Sequence, residues 1–153
     1  MLLTDLLSAD RVRVHANGGL DKRGAIHALA GMLASGAGLP AETVEHVLLE
    51  REALQSTGIG EGVAIPHGAL GDLEHQCGSV LLVPNGVPFE AIDGRDVTIL
   101  VAVIGPKRAS GEHLKTLARV SRLLRNPEFR SRLLTAADGS RAFEMLKEES
   151  ERK

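Results

Sequence analysis

Apolar residues recur along this chain with two different periods. From Leu20 to Ala34, Ile26, Leu29, Ala30 and Leu33 fall three or four apart, with Asp21 near the start and Gly36 beyond the end, which predicts a helix. Pro40 opens a second one, with Val44, Val47, Leu48 and Leu54 on its buried side and Arg51 close to its C-terminal end. The other period is that of strands. Residues 11–15 alternate basic and apolar, and Val63 to Ile65 form a short apolar run leading into Pro66-His67. Val80 to Val83 is a continuous apolar strand ended by Pro84-Asn85-Gly86, and Val97 to Ile104 is so uniformly apolar that it belongs at the centre of a sheet. A polar connection spans 105–111. Leu114, Leu117, Val120, Leu123 and Leu124 then mark the apolar face of a helix from Glu112 to Arg125. Asn126-Pro127 breaks it, a short helix follows over 128–134, and Asp138-Gly139 turns into a last helix over 140–148. Residues 149–153 read as a frayed tail.

Strands interleaved with helices predict an α/β fold: a single domain over residues 1–153, with a mixed β-sheet flanked by α-helices. With 43% hydrophobic and 25% charged residues, the chain has the balance of a soluble globular domain. The formal net charge of -2 gives no reason to expect nucleic-acid binding, yet the charge is uneven. Residues 1–104 carry 6 Lys and Arg against 13 Asp and Glu, and residues 105–153 carry 12 against 7, so the first part would steer toward a basic partner. The opening MLLTDLLSADR has no basic n-region, and no run is long enough to cross a membrane; the expected location is the cytoplasm, without stable membrane insertion. With three Phe and neither Tyr nor Trp, the chain lacks the platforms on which sugars or bases stack.

The six histidines show no HExxH spacing and the lone Cys77 leaves no zinc ligand set, so no metal is expected; GIGEG lacks the third glycine of a dinucleotide site. Cys77 reads as a small buried hydrophobe. There is no GxSxG elbow and no phosphate-binding GKS or GKT loop. What remains is TGIGEGVAIPHG, Thr57 to Gly68. Gly58, Gly60 and Gly62 can adopt backbone angles closed to other residues, which would let N–H groups converge on an anion. Pro66 stiffens the approach to His67, and a neutral imidazole is a competent nucleophile toward phosphorus. The spacing alone also fits a glycine-rich hairpin with an exposed histidine, and both readings stay open on it.

The longer stretch Ser56 to Gly68, preceded by Arg51-Glu52-Ala53-Leu54, resembles the phosphorylation signature of the mannitol/fructose class of enzyme IIA domains. These belong to the bacterial phosphoenolpyruvate-dependent phosphotransferase system, and the subgroup most similar is the nitrogen-related regulatory enzyme IIA. The segments Pro88 to Gly94 and Glu112 to Ala118 resemble the family's loop before its central strand and its second histidine segment. The resemblance implies that His67 accepts a phosphoryl group from an HPr-like phosphocarrier protein. It implies that His113 is the facing imidazole at a helix start, that Arg51 is a nearby cation, and that Ser56 and Thr57 add hydroxyl donors. The other histidines match no functional position. The absence of a transporter or fused partner domain leans toward the regulatory branch, whose phosphorylation state controls target proteins. The alternatives are a sugar-specific enzyme IIA that passes phosphate to an enzyme IIB, and a binding module that carries no phosphate. Two positions depart from the pattern: Glu61, where an uncharged residue is usual, and the basic connection 105–111, which is expected near the pocket.

Overall fold

The apolar runs in the last two strands are continuous because both of their faces are covered. In the computed structural model, which describes residues 3–71 and 73–152, β5 (Cys77–Val87) and β6 (Val97–Pro106) pair antiparallel at the centre of a six-stranded sheet. Leu81, Val83, Leu100, Ala102 and Ile104 point into one core, and Val80, Leu82, Ile99, Val101 and Val103 into a second. Alternation along each strand thus feeds two apolar layers.

β1 (Val12–Val14) lies parallel to β5 on its outer side. The other edge of β6 takes two partners in succession. β3 (Val63–Ala64) pairs parallel to its beginning, and β4 (His67–Leu70) pairs parallel to its end. β2 (Gly58–Gly60) folds back antiparallel on β3. Helices α1 (Lys22–Ala37) and α2 (Ala41–Leu54) cover the first core; α3 (Ser110–Leu123), α4 (Pro127–Leu133) and α5 (Gly139–Glu151) cover the second. The predicted α/β class, with a mixed sheet between helices, is the architecture found.

Local chemistry accounts for the helix ends. Asp21, Asn126 and Asp138 accept backbone N–H groups at the starts of α1, α4 and α5. Gly36 lies inside α1 and not beyond it; the stop is Gly38, whose φ of 69° suits glycine and whose N–H reaches Ala34 O.

Other boundaries also differ from the expectation. Pro84-Asn85-Gly86 does not end its strand: a register shift between Leu82 and Val87 absorbs these residues, and β5 runs on. The connection 105–111 is largely structured, since β6 extends to Pro106, a 3₁₀ turn covers Lys107–Ala109 and α3 starts at Ser110. The tail is mostly helical: α5 reaches Glu151, and Glu149 pairs with Arg132 and Arg152. Lys153 lies outside the described residues. Leu54 and Leu114, assigned to buried faces, are 82% and 67% exposed. Cys77 is buried as expected, and burial pushes its thiol up.

The first turn of α5 rests directly on β1. A Cβ at Gly139 would fall 1.8 Å from the Val12 carbonyl oxygen, a clash with backbone that no rotamer relieves. Gly139→Ala is expected to destabilise the fold by at least ~1–3 kcal/mol, seen as a lower urea midpoint with an unchanged m-value.

Candidate functional site

β4 begins at His67, which stands in register with Val103 of β6. The segment is fixed just before it: the Val103 N–H bonds to Pro66 O at 3.0 Å, and the Ile65 N–H to Thr57 O at 3.0 Å. His67 shares the sheet face of Val103, on the α3 side. Gly68 faces the other way, toward α2. A Cβ there would fall 2.4 Å from Val47 Cγ1, so only glycine lets α2 lie this close to the strand. One helical turn beyond Val47 is Arg51, near enough that its charge acts on His67. Its guanidinium also donates to Gln55 O at 2.9 Å, satisfying a carbonyl at the end of α2.

The second imidazole comes from the first turn of α3. The rings of His67 and His113 lie 5.7 Å apart between centroids and are inclined by 51°. His113 rests on Gly105 of β6, where a Cβ would meet its Nδ1 at 3.1 Å. The tautomer of His67 follows from one bond. Its Nδ1 lies 2.8 Å from Ile65 O, and because a carbonyl can only accept, Nδ1 carries the proton. The lone pair is therefore on Nε2. Burial lowers the pKa of His67 most. The Ile65 carbonyl opposes this, Arg51 lowers it further, and Glu52 raises it. His113 is lowered by burial and then by His67. Near neutral pH both rings are uncharged, as a nitrogen nucleophile requires.

The remaining expected residues are placed unevenly. Ser56 Oγ donates to Phe89 O and accepts from the Gly58 N–H, each at 3.1 Å. Thr57 is buried, with its N–H and hydroxyl bound to the Glu52 carboxylate. Both hydroxyls thus tie the start of the glycine run into the scaffold. Gly58 pairs with Ala64 in the β2–β3 hairpin. Gly60 and Gly62, at φ 99° and 79°, shape its turn, and Gly62 O accepts from Thr98 N and Ile99 N. That register leaves them some five residues along β6 from His67, about 16 Å, so they do not line its side chain.

Of the two departures from the family pattern, Glu61 faces away, whereas the connection 105–111 touches the site through Gly105, on which His113 rests, and turns the basic Arg108 elsewhere. Glu61, at φ 59°, directs its carboxylate to Arg95 and Arg130, at 3.5 and 3.6 Å. In the basic connection, Arg108 donates to Leu73 O and Glu74 O. His27 and His46 are exposed and pair with Glu45 and Glu50. His75 is exposed, and His15 Nε2 is buried without a partner among the described residues.

Sequence reasoning passed over Glu52. Its buried carboxylate takes the two Thr57 groups and pairs with Lys22 at 2.9 Å. A signal was present: Val44, Leu48 and Glu52 form one i, i+4 stripe, which puts a charge on a buried face where a partner is obligatory. Among the described residues no group of three or more His, Cys, Asp or Glu could hold a metal ion, and no helix is long and apolar enough to cross a membrane.

The lowered imidazoles give stability a pH dependence of definite sign. Between its lowered value and the ordinary 6.5, each ring is neutral when folded and protonated when unfolded. The unfolded chain binds more protons there, so stability is full above about pH 6.5 and is lost as pH falls through the lowered values. The expected outcome is a Tm that falls between pH 8 and 5, with a shallower fall in a His67→Gln, His113→Gln double variant.

The phosphoenolpyruvate-dependent sugar phosphotransferase system EIIA 2 model matches residues 5–149. A nitrogen regulatory protein of Bradyrhizobium diazoefficiens is 35% identical over 148 residues, covering 95% of both chains. The crystal structure of nitrogen regulatory protein IIA-Ntr from Neisseria meningitidis superposes with a TM-score of 0.86 at 27% identity, over 94% of this chain and 98% of that one. The complex of enzyme IIAMTL and phosphorylated enzyme IIBMTL from Escherichia coli shares the fold, with a TM-score of 0.77 at 21% identity, over 93% and 97%. A chain whose match runs from Asp5 to Glu149, with the fold of these proteins throughout, belongs to the EIIA 2 family of the phosphoenolpyruvate-dependent sugar phosphotransferase system.

Proposed function

We propose that this chain is a phosphohistidine carrier and that His67 Nε2 is the atom that takes the phosphoryl group. The observation that carries the reading is the bond between His67 Nδ1 and Ile65 O, which leaves Nε2 unprotonated beside the ring of His113. In the transfer, the Nε2 lone pair forms a bond to phosphorus as the P–N bond of the phosphohistidine on an HPr-like protein breaks, and that bond's electron pair returns to the donor imidazole. Little covalent chemistry is asked of the protein; positioning and charge stabilisation supply the rate. His113 offers an N–H to a phosphoryl oxygen, and Arg51 a permanent cation. The first turn of α3 adds the positive end of its dipole. Metal and organic cofactors play no part in this transfer. Both rings are half-buried, which excludes enough water to strengthen these interactions.

The regulatory role is favoured by the nitrogen regulatory relative, which matches nearly end to end. In that role the protein acts in the cytoplasm, and phosphate on His67 changes which target proteins it holds. A second reading has His67 pass the group to an enzyme IIB, as the pairing of IIAMTL with phosphorylated IIBMTL suggests for the same fold.

Incubation with phosphoenolpyruvate, enzyme I and HPr is expected to add one phosphoryl group, read by intact-mass spectrometry, and His67→Ala to abolish it. Undiminished labelling of His67→Ala would overturn the assignment. His113→Ala and Arg51→Met should each keep the site but slow its filling by ~10²–10³. Phosphate discharged to an enzyme IIB, instead of a change in target binding, would select the second reading.

A further inference from the structure

His113 has a neighbour on the side away from His67. Gln76 immediately precedes Cys77, which pairs with Ile104, and Gly105 immediately follows Ile104. A Cβ at Gly105 would meet His113 Nδ1 at 3.1 Å and Gln76 Cγ at 3.2 Å, so the two side chains converge on one bare patch of β6, within about 6 Å of each other. Each side chain carries a buried polar atom without a partner among the described residues: Nδ1 of His113 and Oε1 of Gln76. Nδ1 of His113 and Cγ of Gln76 meet over Gly105, and two side chains that meet there with partnerless atoms call for a shared explanation, because buried polar groups are nearly always satisfied.

A half-turn of the glutamine amide exchanges its oxygen for its NH2 group at almost no cost in shape. The amide then donates, and a rotation within the flexible side chain carries it onto the imidazole nitrogen. An imidazole that accepts at Nδ1 must hold its proton at Nε2. We propose that Gln76 is a positioning residue for the phosphoryl site: its side-chain amide donates to His113 Nδ1 and so holds His113 as the Nε2–H tautomer.

The proposal rests on the reading of His67 and His113 given above and deepens it. His67 is set by a carbonyl that fixes its proton on Nδ1 and bares Nε2. His113 is set the opposite way, by an amide donor that bares Nδ1 and protonates Nε2. One ring becomes a nucleophile and its neighbour a hydrogen-bond donor, with both uncharged. Gly105 contributes by having no side chain to separate the amide from the ring.

Histidine-selective ¹⁵N labelling of the full chain and long-range ¹H–¹⁵N spectra at pH 8 test the assignment without any phosphoryl transfer. In the native protein His113 is expected to show an unprotonated Nδ1 and a protonated Nε2. Gln76→Leu removes the donor, and its His113 resonances should move toward a mixture of tautomers. Gln76→Glu keeps the shape but can only accept, so it should shift the proton to Nδ1. Transfer to His67 should slow roughly 10–100-fold in both variants, the effect of removing the outer partner of a ring nitrogen elsewhere. A native His113 protonated at Nδ1, or a Gln76→Glu protein with the native tautomer, overturns the proposal. If the spectra change as expected while native His67 takes no phosphate, the tautomer assignment stands and the carrier reading fails.

Discussion

Along one edge of β6 two short strands take turns. β3 pairs with Ile99 and Leu100, β4 pairs with Val103 to Pro106, and the two are joined through Ile65 and Pro66. This shared pairing is the constraint on which the site depends. Pro66 has no N–H to give, but its carbonyl accepts from Val103, so the chain stays on the sheet as it passes from one strand to the next. His67 is the first residue after that crossing, and its ring turns back to the carbonyl of Ile65. The same β6, two residues on from Val103, offers Gly105 as the seat for His113. One strand, buried on both faces, therefore sets the distance between the two imidazoles.

The electrostatics are a balance of opposed effects. Burial keeps both rings neutral, and Arg51 reinforces this at His67 while Glu52 resists it. Glu52 itself is held in place by Lys22 and by the two groups of Thr57. A cation and a carboxylate at successive positions of α2 thus have separate tasks. Arg51 turns toward the end of its helix and the site; Glu52 turns inward and anchors the strand that follows. The close seating of α2 over Gly68 couples both to the histidine.

The central strands, the helices and the class of fold were legible because each buries an apolar face at its own period. Boundaries failed where tertiary pairing overrode local signals. Pro84, Asn85 and Gly86 are turn residues by composition, yet a bulge keeps them in β5. Leu54 and Leu114 are apolar, but each stands two residues, about 200° around its helix, from a buried position, Glu52 and Thr116, and so faces outward. Gly58 to Gly62 looked like an anion cradle because glycines serve both cradles and hairpins, and no local signal tells the two apart.

By itself the sequence determined the residue types that chemistry requires: a histidine stiffened by proline, a second histidine at the start of a helix, and an arginine one helix earlier. The likeness of its longer motifs, from Arg51 to Gly68 and from Glu112 to Ala118, pointed to the family as well. Only the tertiary structure decided which nitrogen is free, because that depends on one carbonyl, at Ile65, turned toward the ring. Long-range pairing likewise decided that Gly60 and Gly62 belong to a distant turn and that Glu61 faces Arg130. It also brought Gln76 to the seat of His113. Residues 76, 105 and 113 have no periodic relation in the chain; the antiparallel register of β5 on β6 and the entry point of α3 bring them together.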